Sequence, residues 1–214
     1  MSAFITFEGV EGSGKTTQIR LLAQRLQDRG VPVLTTREPG GCCIADAIRA
    51  VLLNPAHKEM SPRTELLLYA AARAQHVEEV IRPALAAGKV VLCDRFSDAT
   101  IAYQGEGRGL DRELIDTLNS VAVEGLAPDL TILLDIPVEE GLRRAIERND
   151  QDEMREDRFE QESLRFHQRV REGYLKRVAD ENRFFVVDAA GIASEVSSRI
   201  DRIVDHFLET KGKS

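Results

Sequence analysis

The chain has 214 residues, 43% of them hydrophobic and 30% charged, with a formal net charge of -7, which is typical of a soluble globular protein. The acidic balance argues against nucleic acid as a partner, since such binders usually carry a basic surplus. The first strand is predicted close to Met1, leaving no room for a signal peptide, and no apolar run is long enough to cross a membrane. We therefore expect one cytoplasmic domain over residues 1–214, with Cys42, Cys43 and Cys93 as reduced thiols.

The first predicted strand, AFITF, leads into a loop that satisfies the pattern G-x-x-x-x-G-K-[ST]. Glycines let this backbone curl, so that its N–H groups and the positive end of the next helix face a triphosphate. In such loops Lys15 holds the β- and γ-phosphates, and the Thr16 hydroxyl ligates Mg²⁺. A turn that binds nothing is disfavoured, because the loop follows a strand and opens an amphipathic helix. The predicted ATP-binding residues of the loop are Gly9, Gly12, Ser13, Gly14, Lys15, Thr16 and Thr17.

Four further strands are predicted, and helical segments alternate with them along the chain. The strands are VPVLTT, KVVLCD, LTILLDI and RFFVVD, and the later helices are predicted over about 44–53, 62–87, 111–125, 164–174 and 193–209. Continuous apolar runs such as KVVLCD are typical of parallel strands that are buried on both faces. The alternation predicts an α/β P-loop NTPase fold, in which helices flank a five-stranded parallel sheet.

Asp94 ends the strand KVVLCD, where a carboxylate near a P-loop can hold Mg²⁺ directly or through water. An aspartate at a strand end is otherwise often a helix cap. The chain lacks the N-K-x-D segment by which GTP-binding switches read guanine. A kinase of a small phosphorylated molecule needs a second phosphate site facing the first. Candidates for that site are Arg37, Arg73 and Arg95, which follow strands or lie along the long predicted helix.

A strongly charged, arginine-rich segment begins after Val138, with the sequence GLRRAIERNDQDEMREDRFEQES from residue 141 onward. Such runs are usually solvated helical faces with local ion pairs. The functional alternative is a mobile lid, over about residues 143–158, that closes cations over a polyphosphate.

Five segments occur in order along nearly the whole chain: GVEGSGKTT at 9–17, TREPGG at 36–41, LLLYAAARAQH at 66–76, DRFSDATIAYQGEGRG at 94–109 and DRFEQE at 157–162. Together they resemble bacterial thymidylate kinases. P-loops are shared by many families, whereas TREPGG with the DR and YQG segments is specific to this one. The resemblance implies a homodimeric nucleoside monophosphate kinase that uses Mg²⁺ and transfers the ATP γ-phosphate to dTMP, giving dTDP for dTTP synthesis.

The resemblance also assigns residues to the acceptor phosphate and sugar. Arg37 and Arg95 are expected to grip the phosphate, where planar guanidinium groups suit bidentate contact. Glu11, inside the P-loop, matches the family's acidic position directed at the deoxyribose 3′-hydroxyl. Tyr103 is expected to pack under the sugar and to disfavour a ribose 2′-OH.

Four residues are assigned to the pyrimidine base. Tyr69 lies one helical turn before Arg73, on the same helix face, so we expect Tyr69 to stack on the base and Arg73 to contact its edge. Thr100 and Gln104 are the expected polar readers. Taken singly, Tyr69 is better explained by core packing on an amphipathic helix, and Arg73 could be a surface charge. Their occurrence in family order with the P-loop favours binding.

The P-loop has no arginine between Gly9 and Lys15, and the resemblance implies that in such members of the family the lid supplies the transition-state cation. Arg148 and Arg158 best match the family's R-G-x-x-D-R-x-E pattern, and Arg144 is expected to reach ATP. The spacer NDQDEMRE is longer than the family's and adds Arg155, so the sequence leaves open which arginine acts. The predicted catalytic residues are Glu11, Lys15, Arg95, Arg148 and Arg158.

Two other functions are compatible with a P-loop of this kind. One is a kinase of another nucleotide or deoxynucleoside, which the set Tyr69, Arg73, Tyr103 and Gln104 disfavours. The other is a nucleotide-binding regulator without turnover, which Lys15, Asp94 and the arginine-rich segment disfavour.

Overall fold

The structure is a computed structural model that describes residues 2–149, 158–159 and 161–212. Within these residues five strands form one parallel sheet in the order β2-β3-β1-β4-β5. The strands are β1 Ala3–Glu8, β2 Val33–Arg37, β3 Val90–Asp94, β4 Leu130–Asp135 and β5 Phe184–Asp188. The predicted five-stranded parallel sheet is therefore confirmed, and its central strand is the one that leads into the P-loop.

Helices flank the sheet on both faces. They are α1 Lys15–Asp28, α2 Cys43–Leu53, α3 Pro62–His76, α4 Arg82–Ala86, α5 Ser97–Thr100, α6 Arg112–Val123, α7 Val138–Asn149, α8 Leu164–Asp180 and α9 Ala193–Lys211. α2 begins without a side-chain cap at Cys42. Of the predicted lid, the helix α7 covers the first part, and residues 150–157, including Arg155, lie outside the described residues.

Two predicted helical regions contain π-helical segments. The long helix expected over 62–87 is α3, then a π segment Val77–Ile81, then α4. Pro83 explains the change, because it lacks the N–H that would bond to the carbonyl of Glu79 and its ring crowds that carbonyl. The segment after β3 is α5, which is continued by the π helix Ile101–Gly107. π segments recur at functional sites.

The central strand β1 divides the core into two layers. Ile5 and Phe7 pack with apolar residues of α1 and α9, whereas Phe4 packs with the π segment Val77–Ile81 and with the buried thiol of Cys93. Alternate side chains of a strand face opposite sides of a sheet, which accounts for the division. No helix in the described parts of the chain is both long and apolar enough to cross a membrane.

The P-loop is packed against the first turns of α7. Gly12 has a φ of 67°, in the left-handed region, and a Cβ there would collide with the carbonyl of Gly141. A Cβ on Gly141 would in turn collide with the carbonyl of Glu11. This close approach of backbone to backbone fixes where Glu11 and the following loop lie relative to the sheet.

Candidate active site

The carboxyl ends of β1, β2 and β3 open into one cleft of about 940 Å³, at the sheet edge where parallel α/β proteins bind ligands. Most residues that the sequence predicted for the site line this cleft. They are Glu11, Gly12, Gly14, Lys15, Thr16, Thr17, Arg37, Tyr69, Arg73, Asp94, Arg95, Thr100, Tyr103 and Gln104. The fold thus brings the P-loop and the predicted acceptor residues together in one cleft.

Lys15 folds back over the P-loop. Its Nζ donates to the carbonyls of Gly9 and Val10, both at 3.1 Å, and to Ser13 Oγ at 3.3 Å. Burial and the neighbouring charge of Arg95 lower the pKa of Lys15 to about 8. The ammonium group therefore lies where the phosphates of a nucleotide would meet it, with partners that such an anion can replace.

Thr16 and Asp94 form the oxygen-rich part of the cleft. Thr16 Oγ1 donates to Asp94 Oδ2 at 2.8 Å, which joins the start of α1 to the end of β3. Hydroxyl and carboxylate oxygens are the ligands that Mg²⁺ prefers, and one or two of them suffice when substrate phosphates complete the shell. The residues present therefore fit the cation that the motif implies.

Glu11 lies at the centre of the acceptor wall, the part of the cleft that is lined by Glu11, Arg95 and Tyr103. Its carboxylate accepts from Arg95 Nη2 at 3.0 Å and from the Tyr103 hydroxyl at 2.7 Å, and His167 Nδ1 lies 3.3 Å away. Burial alone raises the pKa of Glu11, but the charge of Arg95 and the contact with His167 outweigh burial and hold this pKa well below its usual range. Glu11 is thus a fixed anion, paired with an arginine.

Arg95 is held in an unusual backbone conformation. Its φ is 71°, in the left-handed region that non-glycine residues rarely adopt and that recurs where geometry serves function. Its Nη1 donates to the carbonyl of Gly9 at 3.1 Å and to the Tyr174 hydroxyl at 3.2 Å, and its guanidinium carbon lies 4.8 Å from the ring centre of Tyr103. Arg95 thereby joins the P-loop to the acceptor wall.

Arg73 is not the exposed charge that its sequence alone permits, since its side chain is only 1% exposed. Nε donates to Glu38 at 2.7 Å and Nη2 to the carbonyl of Phe96 at 3.0 Å. Nη1 donates to Thr100 Oγ1 at 3.0 Å and to Asn119 Oδ1 at 2.7 Å. Four of the five guanidinium N–H groups therefore have partners, which fixes the group in the cleft wall.

Tyr69 and Gln104 complete the wall around Arg73. Tyr69 faces the cleft, with its ring centre 6.4 Å from that of Phe159, and burial raises the pKa of its hydroxyl. Gln104 is nearly fully buried, and its Nε2 donates to Glu65 Oε1 at 2.8 Å. The site therefore offers an aromatic face beside fixed polar groups, the arrangement by which proteins hold a nucleobase.

The remaining predicted arginines are not part of the buried cluster around Glu11 and Arg73. Arg37 lines the cleft but is 57% exposed, and its Nη2 donates to Asp46 Oδ1 at 3.4 Å. Arg144 pairs with Glu140 on its own helix at 2.9 Å and reaches the carbonyl of Ala189. The side chain of Arg148 lies outside the described residues.

Arg158 is buried and is not among the residues that line the cleft. Its Nη2 donates to Glu65 Oε2 at 2.6 Å and its Nε to the carbonyl of Leu52, and only 7% of the side chain is exposed. In this structure Arg158 therefore forms an ion pair with Glu65 of α3, the helix that also carries Tyr69. Arg158 therefore lies next to Glu65 and Phe159, and the ring of Phe159 lines the cleft.

Sequence reasoning missed several buried polar residues that shape the site. Glu8, at the end of β1, accepts from the Tyr174 hydroxyl and from the amide of Phe96, both at 2.7 Å. Burial and the nearby charge of Asp98 raise the pKa of Glu8 to about 8. The sequence places Tyr174 on an apolar helix face, so it reads as core.

Glu65 is the one missed residue that a sequence signal points to. It lies four residues before Tyr69 and eight before Arg73, so all three share one face of α3. An acidic residue at that spacing, on a helix face expected to contact a ligand, indicates an ion-pair partner for arginines buried near that face.

One cleft is lined by a P-loop, by a carboxylate at the end of the neighbouring strand and by buried arginines beside an aromatic face. This combination is typical of a kinase of small phosphorylated molecules. The family model for thymidylate kinase matches residues 7–200 of the chain. The chain belongs to the thymidylate kinase family.

Similar proteins extend over nearly the whole chain. The thymidylate kinase of Geotalea uraniireducens (strain Rf4) is 60% identical over 206 residues, which cover 95% of this chain and 97% of that protein. The thymidylate kinase of Trichlorobacter lovleyi is 61% identical over 203 residues, covering 94% and 96%. The crystal structure of thymidylate kinase from Ehrlichia chaffeensis superposes with a TM-score of 0.77 at 34% identity, covering 95% of this chain and 98% of that one.

A test of the P-loop lysine is the dependence of activity on pH. Below about pH 8 Lys15 carries a proton and attracts ATP, and above it the charge is lost, so kcat/KM for ATP is expected to fall as pH rises through about 8. The profile is measured with saturating acceptor. The Lys15→Arg variant, which stays protonated, should be less active but flat over this range. A wild-type plateau extending past pH 9.5 would contradict the expectation.

Proposed function

We propose that this member of the thymidylate kinase family transfers the γ-phosphate of ATP to dTMP, giving dTDP and ADP for dTTP synthesis in the cytoplasm. The observation that carries the proposal is the cluster of Glu11, Arg95 and Tyr103, which lines the same cleft as Lys15. It supplies a cation for an acceptor phosphate and a fixed acid for a sugar hydroxyl, within reach of a P-loop.

The chemistry requires charge compensation more than a base. A nucleoside monophosphate is largely dianionic at neutral pH, since its second pKa is about 6, so it attacks without losing a proton. Lys15 holds the β- and γ-phosphates, while Arg95 and Arg37 grip the acceptor phosphate and bring it into line. Mg²⁺, when held by Thr16 and Asp94, neutralises charge on the ATP phosphates.

Selection of the nucleotide depends on the part of the cleft that Tyr69 and Arg73 line. Tyr69 stacks on the pyrimidine, and Arg73, Thr100 and Gln104 meet its polar edge. Tyr103 is held by Glu11 under the sugar, where its ring leaves little room for a ribose 2′-OH. Glu11 itself accepts from the deoxyribose 3′-hydroxyl.

The donor side is completed by the P-loop amides and by arginines of the predicted lid. Gly9, Gly12, Ser13, Gly14 and Thr17 supply the loop that surrounds the phosphates, and Arg144 contacts ATP. An arginine of the lid, over about residues 143–158, supplies the transition-state cation, which is worth ~10³-fold or more in rate. Because Arg158 pairs with Glu65, Arg148 and Arg155 are the remaining candidates for this role.

We also propose a homodimer. Leu67 of α3 and Val121 of α6 are 50% and 69% exposed on neighbouring helices, a pairing of apolar side chains typical of a surface that another chain covers. Sedimentation velocity tests this proposal, and Val121→Glu is expected to shift the protein towards monomer.

A coupled assay of ADP release tests the proposed reaction. The purified chain is supplied with ATP, Mg²⁺ and one of dTMP, dUMP, dCMP, AMP or thymidine. We expect dTMP to give the highest kcat/KM, with dTDP as the product. A preference for another acceptor would indicate a different nucleotide kinase, and dTMP binding without dTDP formation would indicate a regulator.

Glu11→Gln tests the assignment of the acceptor wall. The variant keeps the shape of Glu11 but removes the charge that holds Arg95 and Tyr103, so kcat/KM for dTMP is expected to fall ~10-fold or more. The KM for ATP should change little, because the carboxylate faces the acceptor side. Glu106→Gln, which loses only an exposed pair with Lys176, is the matched control. A change confined to the KM for ATP would overturn the assignment.

A further inference from the structure

Glu65 is a buried carboxylate with four hydrogen bonds, and only 1% of its side chain is exposed. Oε1 accepts from Gln104 Nε2 at 2.8 Å and from Arg108 Nε at 3.2 Å. Oε2 accepts from Arg108 Nη2 at 3.1 Å and from Arg158 Nη2 at 2.6 Å. Two arginine guanidinium groups, which can only donate hydrogen bonds, therefore compensate the charge of the Glu65 carboxylate.

An ionised carboxylate can only accept hydrogen bonds, and this determines the orientation of the Gln104 amide. The NH₂ group of Gln104 must face Glu65, so its carbonyl oxygen Oε1 points away from Glu65. Gln104 lines the cleft that Tyr69 and Arg73 also line. The amide therefore presents a fixed acceptor to a base bound there, whereas a glutamine without such a partner could present either group.

Arg73 supplies the complementary half of the pattern. Its guanidinium can only donate, and it is held in place by Glu38, Asn119, Thr100 and the carbonyl of Phe96. A fixed donor next to a fixed acceptor matches the O4 and N3–H groups of a thymine or uracil ring. Cytosine presents the reverse pattern, a donor amino group and an unprotonated ring nitrogen, so it would meet donor with donor and acceptor with acceptor.

The same two arginines also place an aromatic side chain in the wall. The guanidinium carbons of Arg158 and Arg108 lie 4.6 Å and 5.6 Å from the ring centre of Phe159. Phe159 lines the cleft and packs edge-on against Tyr103 with ring centres 5.6 Å apart. Glu65 thus connects the polar edge of the base pocket to its aromatic lining.

We propose that Glu65 is a positioning residue that selects thymine over cytosine by fixing the orientation of the Gln104 amide. The proposal rests on the reaction proposed above, in which Gln104 meets the base. Glu65 does not touch the substrate and acts through Gln104.

The test compares kcat/KM for dTMP and dCMP in the wild type and in Glu65→Gln. A glutamine at 65 can accept or donate, so the Gln104 amide can turn over, and the dTMP:dCMP ratio is expected to fall about tenfold, mainly through the KM for dTMP. The KM for ATP should be unchanged. Glu162→Gln is the matched control, because Glu162 also pairs with Arg108, at 2.5 Å, but does not contact Gln104. It should keep the wild-type ratio.

Two further variants separate positioning from folding. Glu65→Asp retains the charge that Arg108 and Arg158 need but withdraws the oxygen from Gln104, so it should fold and still lower the ratio. Gln104→Met should lower the ratio as well, and adding Glu65→Gln to it should lower the ratio no further.

The outcomes are distinct. A folded Glu65→Gln or Glu65→Asp variant with the wild-type dTMP:dCMP ratio would overturn the inference, as would an equal change in Glu162→Gln. A further drop in the double variant would also overturn it, since Glu65 would then act by another route. If the wild type itself does not prefer dTMP, the proposed reaction is wrong, and the inference is rejected with it.

Discussion

Arg95→Met is expected to lower kcat/KM for dTMP by ~10³-fold, because it removes a preorganised cation from the acceptor side of a phosphoryl transfer. The loss has a second component. Glu11, whose side chain is only 12% exposed, would lose the charge that stabilises it, and an unpaired buried carboxylate repels an incoming phosphate. The KM for ATP should change much less, since Lys15 and the P-loop amides are untouched.

The measurement is a steady-state analysis with each substrate varied in turn. Arg95→Lys should recover only part of the activity, because an ammonium group cannot reach Gly9, Tyr174 and Glu11 together as the planar guanidinium does. Arg112→Met, which removes an exposed pair with Asp116, is the control for loss of an arginine. Equal losses in the ATP and dTMP parameters would place Arg95 outside the acceptor site.

Lys15→Met is expected to reduce kcat by ~10³-fold, because no other described P-loop side chain carries a positive charge to the β- and γ-phosphates. The methionine fills a similar volume, so the loop should keep its fold, although the bonds to the carbonyls of Gly9 and Val10 are lost. dTMP binding, measured by calorimetry, should be retained.

Lys176→Met is the control, since Lys176 pairs with Glu106 at the surface. Thermal unfolding of both variants separates loss of catalysis from loss of structure. A Lys15→Met enzyme with more than a tenth of wild-type kcat would show that the phosphates are held chiefly by the backbone amides and the metal.

The P-loop and the strands could be predicted from residues that are close together in the sequence, whereas the π-helical segments could not. The P-loop was predictable because its chemistry depends on a contiguous run, from Gly9 to Thr16, whose glycines permit one backbone path. The strands were predictable because buried parallel strands need continuous apolar runs. The π segments were not, since they depend on how Pro83 and the packing around residues 101–107 displace hydrogen bonds that a sequence pattern does not encode.

In the candidate site, too, some residues were predictable from the sequence and others were not. Family order indicated that Arg73, Arg95 and Gln104 belong to one site, and the fold places all three along one cleft. Their partners were not predictable. Glu38, Glu65 and His167 come from different elements, and each is an ordinary polar residue until the fold puts it beside a buried charge.

The sequence by itself determined the class of the protein, the parallel sheet and the phosphate loop, because each depends on residues that are neighbours in the chain or on a family pattern read in order. Only the tertiary structure decided that Glu11 is a fixed anion paired with Arg95, that Arg73 is buried, and that Arg158 pairs with Glu65. The reason is physical: the state and direction of a charged side chain depend on burial and on partners distant in sequence.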